Sequence, residues 1–324
     1  MLDCIDLYSG AGGLSVGLMA AGVRVTTAVD HDGDAIHTYR TNIPNVRALN
    51  SRVQELESDD LLKGVRNRER LIIAGGPPCT LFSRLHRNPA DTTSEIETYC
   101  SIIRDVRPAF VVLENVPAIQ RRSRAWSCIR ATLEESGYLI EARVINCSDF
   151  GVAQARQRMI VLAGRRRVQI PSIVPERVRT VRDAIGHLPE KQSGIPNHVS
   201  LQLSAQNLER IKRLAEGQRS RGKTRAFSDS YSRMAWDKPA PTITTKCISF
   251  SNGRFGHPSY DRGLTVREAA TLQGFPEDFV FHGSLWSCAR QVGNAVPPPV
   301  AEAIGRELVK AARRRRVRRC TVTS

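Results

Sequence analysis

A cysteine closes an apolar run at Leu71-Ile72-Ile73-Ala74-Gly75-Gly76-Pro77-Pro78-Cys79. Apolar residues ended by Gly-Gly-Pro-Pro predict a buried parallel strand that stops abruptly in a loop. In open α/β sheets the carboxyl ends of strands are where ligands bind, so Cys79 stands where a nucleophile is useful. A second apolar run, Ala109-Phe110-Val111-Val112-Leu113, leads directly into Glu114-Asn115-Val116-Pro117 and puts a carboxylic acid at the same edge. A thiolate and an acid on adjacent strand ends can attack and protonate an electrophilic ring or carbonyl.

A third group lies upstream. Asp6-Leu7-Tyr8-Ser9-Gly10-Ala11-Gly12-Gly13-Leu14 follows a first strand and opens a first helix, where glycines let a ligand approach backbone N–H groups. The turn departs from the dinucleotide fingerprint, because Ser15 occupies the third glycine position. A second strand ends at Asp30, which places a carboxylate where a ribose diol would sit. These features predict an adenosine-containing cofactor, with NAD and S-adenosylmethionine both open.

The elements that must position these groups alternate short apolar runs with amphipathic stretches, the pattern of a doubly wound, mostly parallel α/β sheet covered by helices. Strands are expected at 2–8, 23–29, 71–75, 109–113, 138–146 and 158–163. Helices are expected near 13–21, 32–42, 95–107, 122–136, 204–216, 264–275 and 300–312. After Arg165-Arg166-Arg167 the texture turns irregular and rich in Pro, Ser, Arg and Gly. The expected division is therefore 1–170 for catalysis and cofactor, 171–285 for a smaller irregular unit, 286–312 for a segment returning to the first unit, and 313–324 for a basic tail.

The chain has 324 residues, 41% of them hydrophobic, with 48 Lys and Arg against 32 Asp and Glu for a net charge of +16. Such a field attracts polyanions, nucleic acid above all. The tail does not account for all of it: residues 171–260 hold 15 basic against 7 acidic side chains. No apolar run has the length of a membrane span. The N-terminal residues do not read as a secretory signal. Eight cysteines lie without any Cys-x-x-Cys pair, so neither a metal site nor a disulfide framework is predicted and a reducing cytoplasm is the expected home. Cys4, Cys100, Cys128 and Cys147 read as core thiols, Cys247 and Cys288 have no assignable role, and Trp126, Trp236 and Trp286 read as packing residues.

Taken together, the motifs resemble those of the cytosine-C5 DNA methyltransferases, in the family's order and over nearly the whole chain. Asp6–Gly13 is similar to the family's cofactor loop and Asp30 to its ribose-binding acid. Pro77-Pro78-Cys79 resembles the nucleophile motif, Glu114-Asn115-Val116 the acid motif, and Gln154-Ala155-Arg156-Gln157-Arg158 the Gln-x-Arg-x-Arg motif. Arg267–Pro276 and Gln291–Pro297 resemble the last two. The resemblance implies a Rossmann-like, class I S-adenosylmethionine-dependent fold with a target-recognition unit. It implies Cys79 as the nucleophile, Glu114 at cytosine N3, and Arg156 and Arg158 at cytosine O2, where they also help to orient the acid or the phosphate backbone. It assigns the cofactor to Asp6, Tyr8, Ser9, Gly10, Ala11, Gly12, Gly13, Leu14, Asp30, His31, Pro77, Asn294 and Val296. It assigns DNA to Ser83, Arg84, Gln154, Arg233, Arg254 and Gln273. The implied partner is duplex DNA with one cytosine flipped out of the stack. A monomer acting in a bacterial cytoplasm at the nucleoid, beside a separate restriction endonuclease, is the implied setting.

The chain departs from the family pattern at Thr80, which follows the nucleophile, and at Arg52, which stands where an acid usually meets the adenine. A tRNA cytosine methyltransferase is the second reading, although the Cys-Phe-Thr string of that subgroup is absent. A non-catalytic DNA-binding relative is the third, opposed by the intact Cys79, Glu114 and glycine turn.

Overall fold

The computed structural model describes residues 1–78, 94–121, 123–191, 194–220 and 230–313. The strands are β1 (Asp3–Leu7), β2 (Arg24–Asp30), β3 (Arg47–Asn50), β4 (Leu71–Gly75), β5 (Phe110–Asn115), β6 (Leu139–Asn146), β7 (Gln154–Ala155), β8 (Gln157–Gly164) and β9 (Ala240–Pro241). Seven of them make one sheet in the order β3-β2-β1-β4-β5-β8-β6, while β7 and β9 pair separately and in parallel. β1, β4 and β5 are buried along their whole length. Continuous apolar runs such as Leu71–Ala74 and Phe110–Leu113 suit strands covered on both faces.

Two features of this topology build the site. The chain runs from β1 outward to β2 and β3 and then crosses back to β4, so the strand order reverses between β1 and β4. Helices diverge there and leave a crevice at the carboxyl ends. β8 is antiparallel to both β5 and β6, with Glu114 opposite Ile160 and Asn115 opposite Met159. Its first residues, Gln157 and Arg158, therefore lie at the edge where the parallel strands end.

The helices are α1 (Gly13–Ala20), α2 (Gly33–Asn42), α3 (Ser58–Leu61), α4 (Ser94–Val106), α5 (Ser123–Glu135), α6 (Val181–Ile185), α7 (Ala205–Lys212), α8 (Val266–Gln273), α9 (Leu285–Asn294) and α10 (Pro298–Arg313). One face of the sheet packs on α1 and α10, the other on α3, α4 and α5. α10 lies against α1 so closely that a Cβ on Gly13 or Gly17 would meet the Val296 or Pro298 carbonyl at 2.4 or 2.2 Å. A third core, which reaches Ala11 and Ala153, joins α6, α8, α9 and the Phe275, Phe279 and Phe281 rings.

Most expected elements form within a few residues of their expected bounds. β3, β7, β9, α3, α6 and α9 were not expected: all but α9 are short, and α9 is rich in polar residues. α9 buries Ser287, Cys288, Ala289, Gln291 and Val292 and exposes Trp286, Arg290 and Asn294 along one side. Trp286, expected to pack, is 45% exposed, because it belongs to that outward side. Trp126 and Trp236 do pack against the cores. No helix among the described residues is long and apolar enough to cross a membrane.

Candidate active site

A cavity of about 420 Å³ opens at the switch point. Its walls come from the end of β1 (Asp6, Tyr8, Ser9, Gly10), from Asp30, His31 and Asp32 after β2, from Gly76–Pro78 after β4, from Glu114–Val116 at the end of β5, from Arg156 and Arg158, and from α9 and the turn after it. Leu14, Asn294 and Val296 also line it. The cofactor and catalytic residues read from the sequence thus meet in one place, with four exceptions.

Cys79 lies outside the described residues, as do Ser83 and Arg84; the described chain reaches the wall at Pro78. Ala11, Gly12 and Gly13 are buried behind the turn and do not line the cavity. The physical reason is packing. Gly12 has φ 97° and a Cβ there would lie 2.9 Å from the Tyr39 ring, while Gly13 fits against Val296.

The two ends of the cavity differ electrically. At the β1–β2 end three carboxylates gather. The Asp30 side chain accepts from the Gly10 and Asp32 backbone N–H groups, at 2.8 and 2.9 Å. Asp6 is fully buried; one oxygen accepts from the Ser15 hydroxyl at 2.6 Å, and Ser15 in turn accepts from the Tyr39 hydroxyl at 2.7 Å. Its other oxygen, Oδ1, has no partner. Burial, reinforced by the Asp30 charge and opposed by the Ser15 bond, pushes the Asp6 carboxyl up to about 7. Burial likewise raises Asp30. Tyr8 leaves β1 with φ 57° and donates its hydroxyl to the Glu95 carbonyl at 3.1 Å.

At the other end Glu114 and Arg158 form an ion pair of 2.8 Å, both largely buried. The antiparallel β8 brings them together, and the Glu114 carboxylate crosses the face of Gly76, where a Cβ would lie 3.2 Å from Oε2. Asn115 donates to the Pro77 carbonyl at 2.9 Å and accepts from Val116 N–H at 2.9 Å, which ties the Pro-Pro turn to the end of β5. The acid and the backbone leading to Cys79 are therefore held by one strand end.

Arg156 lines the cavity beside Arg158, yet its guanidinium is spent on the backbone. It is 1% exposed and donates to the carbonyls of Ile243, Gly293 and Ala295 at 2.8, 2.9 and 3.3 Å. Burial, aided by the nearby Arg158 charge, lowers its pKa to about 10. Gln154, expected at DNA, is buried; its amide pairs with the Gln273 side chain and accepts from Ile243 N–H at 2.8 Å. Gln273, also expected at DNA, is buried and donates to Val292 and Ala295 at 3.2 and 2.9 Å. Arg156 and Gln273 satisfy carbonyls, and Gln154 an N–H, where the chain after β9 meets the end of α9, as buried backbone groups require.

Arg233 is corrected in the same way. It is buried, donates to the carbonyls of Leu214, His257 and Tyr260 at 2.7–2.9 Å, and pairs with Asp261. Arg254 keeps part of its surface exposed and makes no ion pair among the described residues. Arg52 is exposed, caps the short turn at Val53–Glu55 and does not reach the cavity. The sequence reading missed Asp32, Ala35, Arg290 and Gln291 in the cavity wall. The last two lie on α9; Gln291 opens the Gln291–Pro297 string already read as a motif, and Arg290 immediately precedes it.

The family model for C-5 cytosine-specific DNA methylase matches residues 2–310. The Type II methylase M.HgiDII of Herpetosiphon aurantiacus is 33% identical, over 96% of this chain and 94% of that protein. The Type II methyltransferase M1.HphI of Haemophilus parahaemolyticus is 34% identical, over 95% of this chain and 87% of that protein. A solved structure described as a DNA modification methyltransferase encoded within an E. coli prophage superposes with a TM-score of 0.79 at 25% identity, over 97% of this chain and all of that one.

Proposed function

This chain belongs to the C-5 cytosine-specific DNA methylase family, and from that premise we propose that it methylates C5 of a cytosine flipped out of duplex DNA, through a bond between Cys79 Sγ and ring C6, with S-adenosylmethionine as the methyl donor. One observation carries the reading. A single cavity joins an acidic end to the Glu114–Arg158 pair, and its wall includes Pro78, the residue before Cys79.

The donor set at the acidic end fits a cation. Asp6, Asp30 and Asp32 face the cavity beside the glycine turn, and Asp6 Oδ1 is buried without a partner. An ammonium or sulfonium group would be held there, and a pyrophosphate repelled, which favours S-adenosylmethionine over NAD. When bound, S-adenosylmethionine supplies an electrophilic methyl group. Asp30 would hold the ribose diol, Tyr8 and His31 would flank the adenine, and Asn294 and Val296 would close the methionine side.

At the other end the chain's own residues activate the base. The Cys79 thiolate attacks C6 and makes the ring electron-rich at C5. Glu114 holds a proton at N3, so that negative charge does not accumulate on the ring. Arg158 orients Glu114 through their ion pair and would meet O2 of the base, a use suited to its rigid fork. Once C5 carries the methyl group, loss of the C5 proton to solvent re-forms the C5–C6 double bond, the Sγ–C6 bond breaks to release the Cys79 thiolate, and N3 returns its proton to Glu114. Extruding the base is required because its reacting atoms are stacked inside a duplex.

We assign residues 171–285 to target recognition and the basic tail at 313–324 to phosphate contacts. The relatives are named Type II enzymes; for this chain a cytoplasmic monomer beside a separately acting endonuclease is the matching proposal. The test is transfer of labelled methyl from S-adenosylmethionine to mixed-sequence duplex DNA, read at base resolution, with wild type and Cys79→Ala. Methylcytosine at one recurring context, absent with the variant, supports the reading. No label from the wild type, or undiminished label from the variant, overturns it.

A further inference from the structure

The segment from Val280 to Arg290 lies along the whole of α2, the helix that follows the acidic end of the cavity. Asn42 exchanges two hydrogen bonds with the Val280 backbone, at 2.7 and 2.8 Å. His282 N–H donates to the Thr38 hydroxyl at 2.8 Å, and the His282 ring stacks on His37 at 4.0 Å. At the N-terminal end of α2 the seam reaches the cavity. There Arg290 pairs with Asp32 Oδ2 at 2.9 Å and also donates to the Ser287 hydroxyl at 3.2 Å. Asp32 is itself the N-cap of α2, its Oδ1 accepting from Asp34 and Ala35 N–H. Its own N–H is held by Asp30. Of these seam links only Arg290–Asp32 joins two residues that both line the cavity.

We propose that Arg290 is a positioning residue for the cofactor: its ion pair with Asp32 is a strut across the acidic end of the cavity that holds α9 and the Asp30–Asp32 turn at their working separation and slows cofactor escape. The proposal rests on the S-adenosylmethionine reading. It also makes a prediction that runs against simple charge counting. Arg290 is a cation facing a site we assign to a cationic ligand, so if only charge mattered its removal would tighten binding. If the strut matters, removal loosens it.

The experiment is calorimetric and stopped-flow binding of S-adenosylmethionine to wild type, Arg290→Gln, Asp32→Asn, the double variant and Arg290→Lys. Asparagine is also a good N-cap, so Asp32→Asn removes the charge and keeps α2 capped. Each single variant should raise Kd about three- to fivefold, through faster release, as befits a half-exposed pair. The double variant should be no worse than either single one, and Arg290→Lys should stay close to wild type. Tighter or unchanged binding by Arg290→Gln, or additive losses in the double variant, overturns the strut. Wild-type protein that does not bind S-adenosylmethionine at all overturns the cofactor reading instead.

Discussion

Arg156 offers a sharp separation between a residue that serves the fold and one that serves the base. Its guanidinium donates to three carbonyls, at 2.8, 2.9 and 3.3 Å, and is 1% exposed. Hydrogen bonds from a charged donor contribute roughly 1.5–3 kcal/mol each, so the two short ones alone are worth about 3–6 kcal/mol. Against this, burial has lowered its pKa from 12.5 to about 10, a cost near 3 kcal/mol at about 1.4 kcal/mol per unit. Replacement by methionine keeps most of the volume, removes both terms and strands the carbonyls of Ile243, Gly293 and Ala295 in an apolar setting. Each stranded group costs ~1–3 kcal/mol, moderated where the adjacent cavity admits water. Arg156→Met should therefore lose about 3 kcal/mol of stability, seen in urea denaturation without cofactor or DNA. Arg158→Met is the control: its partner is Glu114 at the cavity wall, so it should lose far more methyl transfer than stability. An Arg156→Met protein within about 0.5 kcal/mol of wild type, yet inactive, would refute the carbonyl-holding role and return Arg156 to the base.

Three further outcomes are expected. Glu114→Gln should lower kcat by roughly 10²–10⁴, the usual worth of a general acid, with cofactor affinity measured by calorimetry little changed; retained turnover would remove Glu114 from the chemistry. Asp6 is raised to about 7 by burial, and a bound cation favours its carboxylate, so binding expels a proton; S-adenosylmethionine affinity should rise with pH up to about 7 and then level off, and Asp6→Asn should flatten that slope. His257 is buried neutral, its pKa lowered by burial to about 4 against Glu268, which pulls the other way. The folded protein thus binds fewer protons than the unfolded chain between its folded value and the unfolded 6.5, and stability present above pH 6.5 should fall by up to ~1.4 kcal/mol per pH unit toward 4. His257→Asn should shallow that acid limb in denaturation curves recorded from pH 7 to 4.5; an unchanged slope would exclude His257 as its source.

Strand composition made the central sheet legible, because Leu71–Ala74 and Phe110–Leu113 are short apolar runs closed by a turn or a polar residue, the pattern of buried strands. What composition could not show was pairing. Nothing local in Gln157–Gly164 distinguishes a strand that joins the sheet in parallel from one inserted backwards between β5 and β6, yet that reversal is what sets Arg158 against Glu114. The edge strand β3 and the helix α9 were invisible for a related reason: their residues are chosen by the neighbours they meet, Arg290 by Asp32 and Asn50 by the Asp30 and His31 carbonyls, rather than by a strong intrinsic pattern.

The motifs misled in an instructive direction. Gln154, Arg156, Gln273 and Arg233 are long polar residues in or near recognisable strings, and on a basic chain they invite assignment to a ligand. The structure spends all four inside. Around β9 and the turn after α9 the backbone passes through the protein without a ladder to satisfy it, so its carbonyls need donors of long reach that can be fixed by packing. Arg156 bonds Ile243, Gly293 and Ala295, Gln273 bonds Val292 and Ala295, and Arg233 bonds Leu214, His257 and Tyr260. A motif beside an active site thus records two demands at once, the groups that touch substrate and the donors that let irregular chain surround it. Their partners separate them: Arg156 and Arg158 both line the cavity, but Arg158 pairs with Glu114 at its wall, Arg156 spends its guanidinium on three carbonyls, and Gln154 does not line the cavity at all.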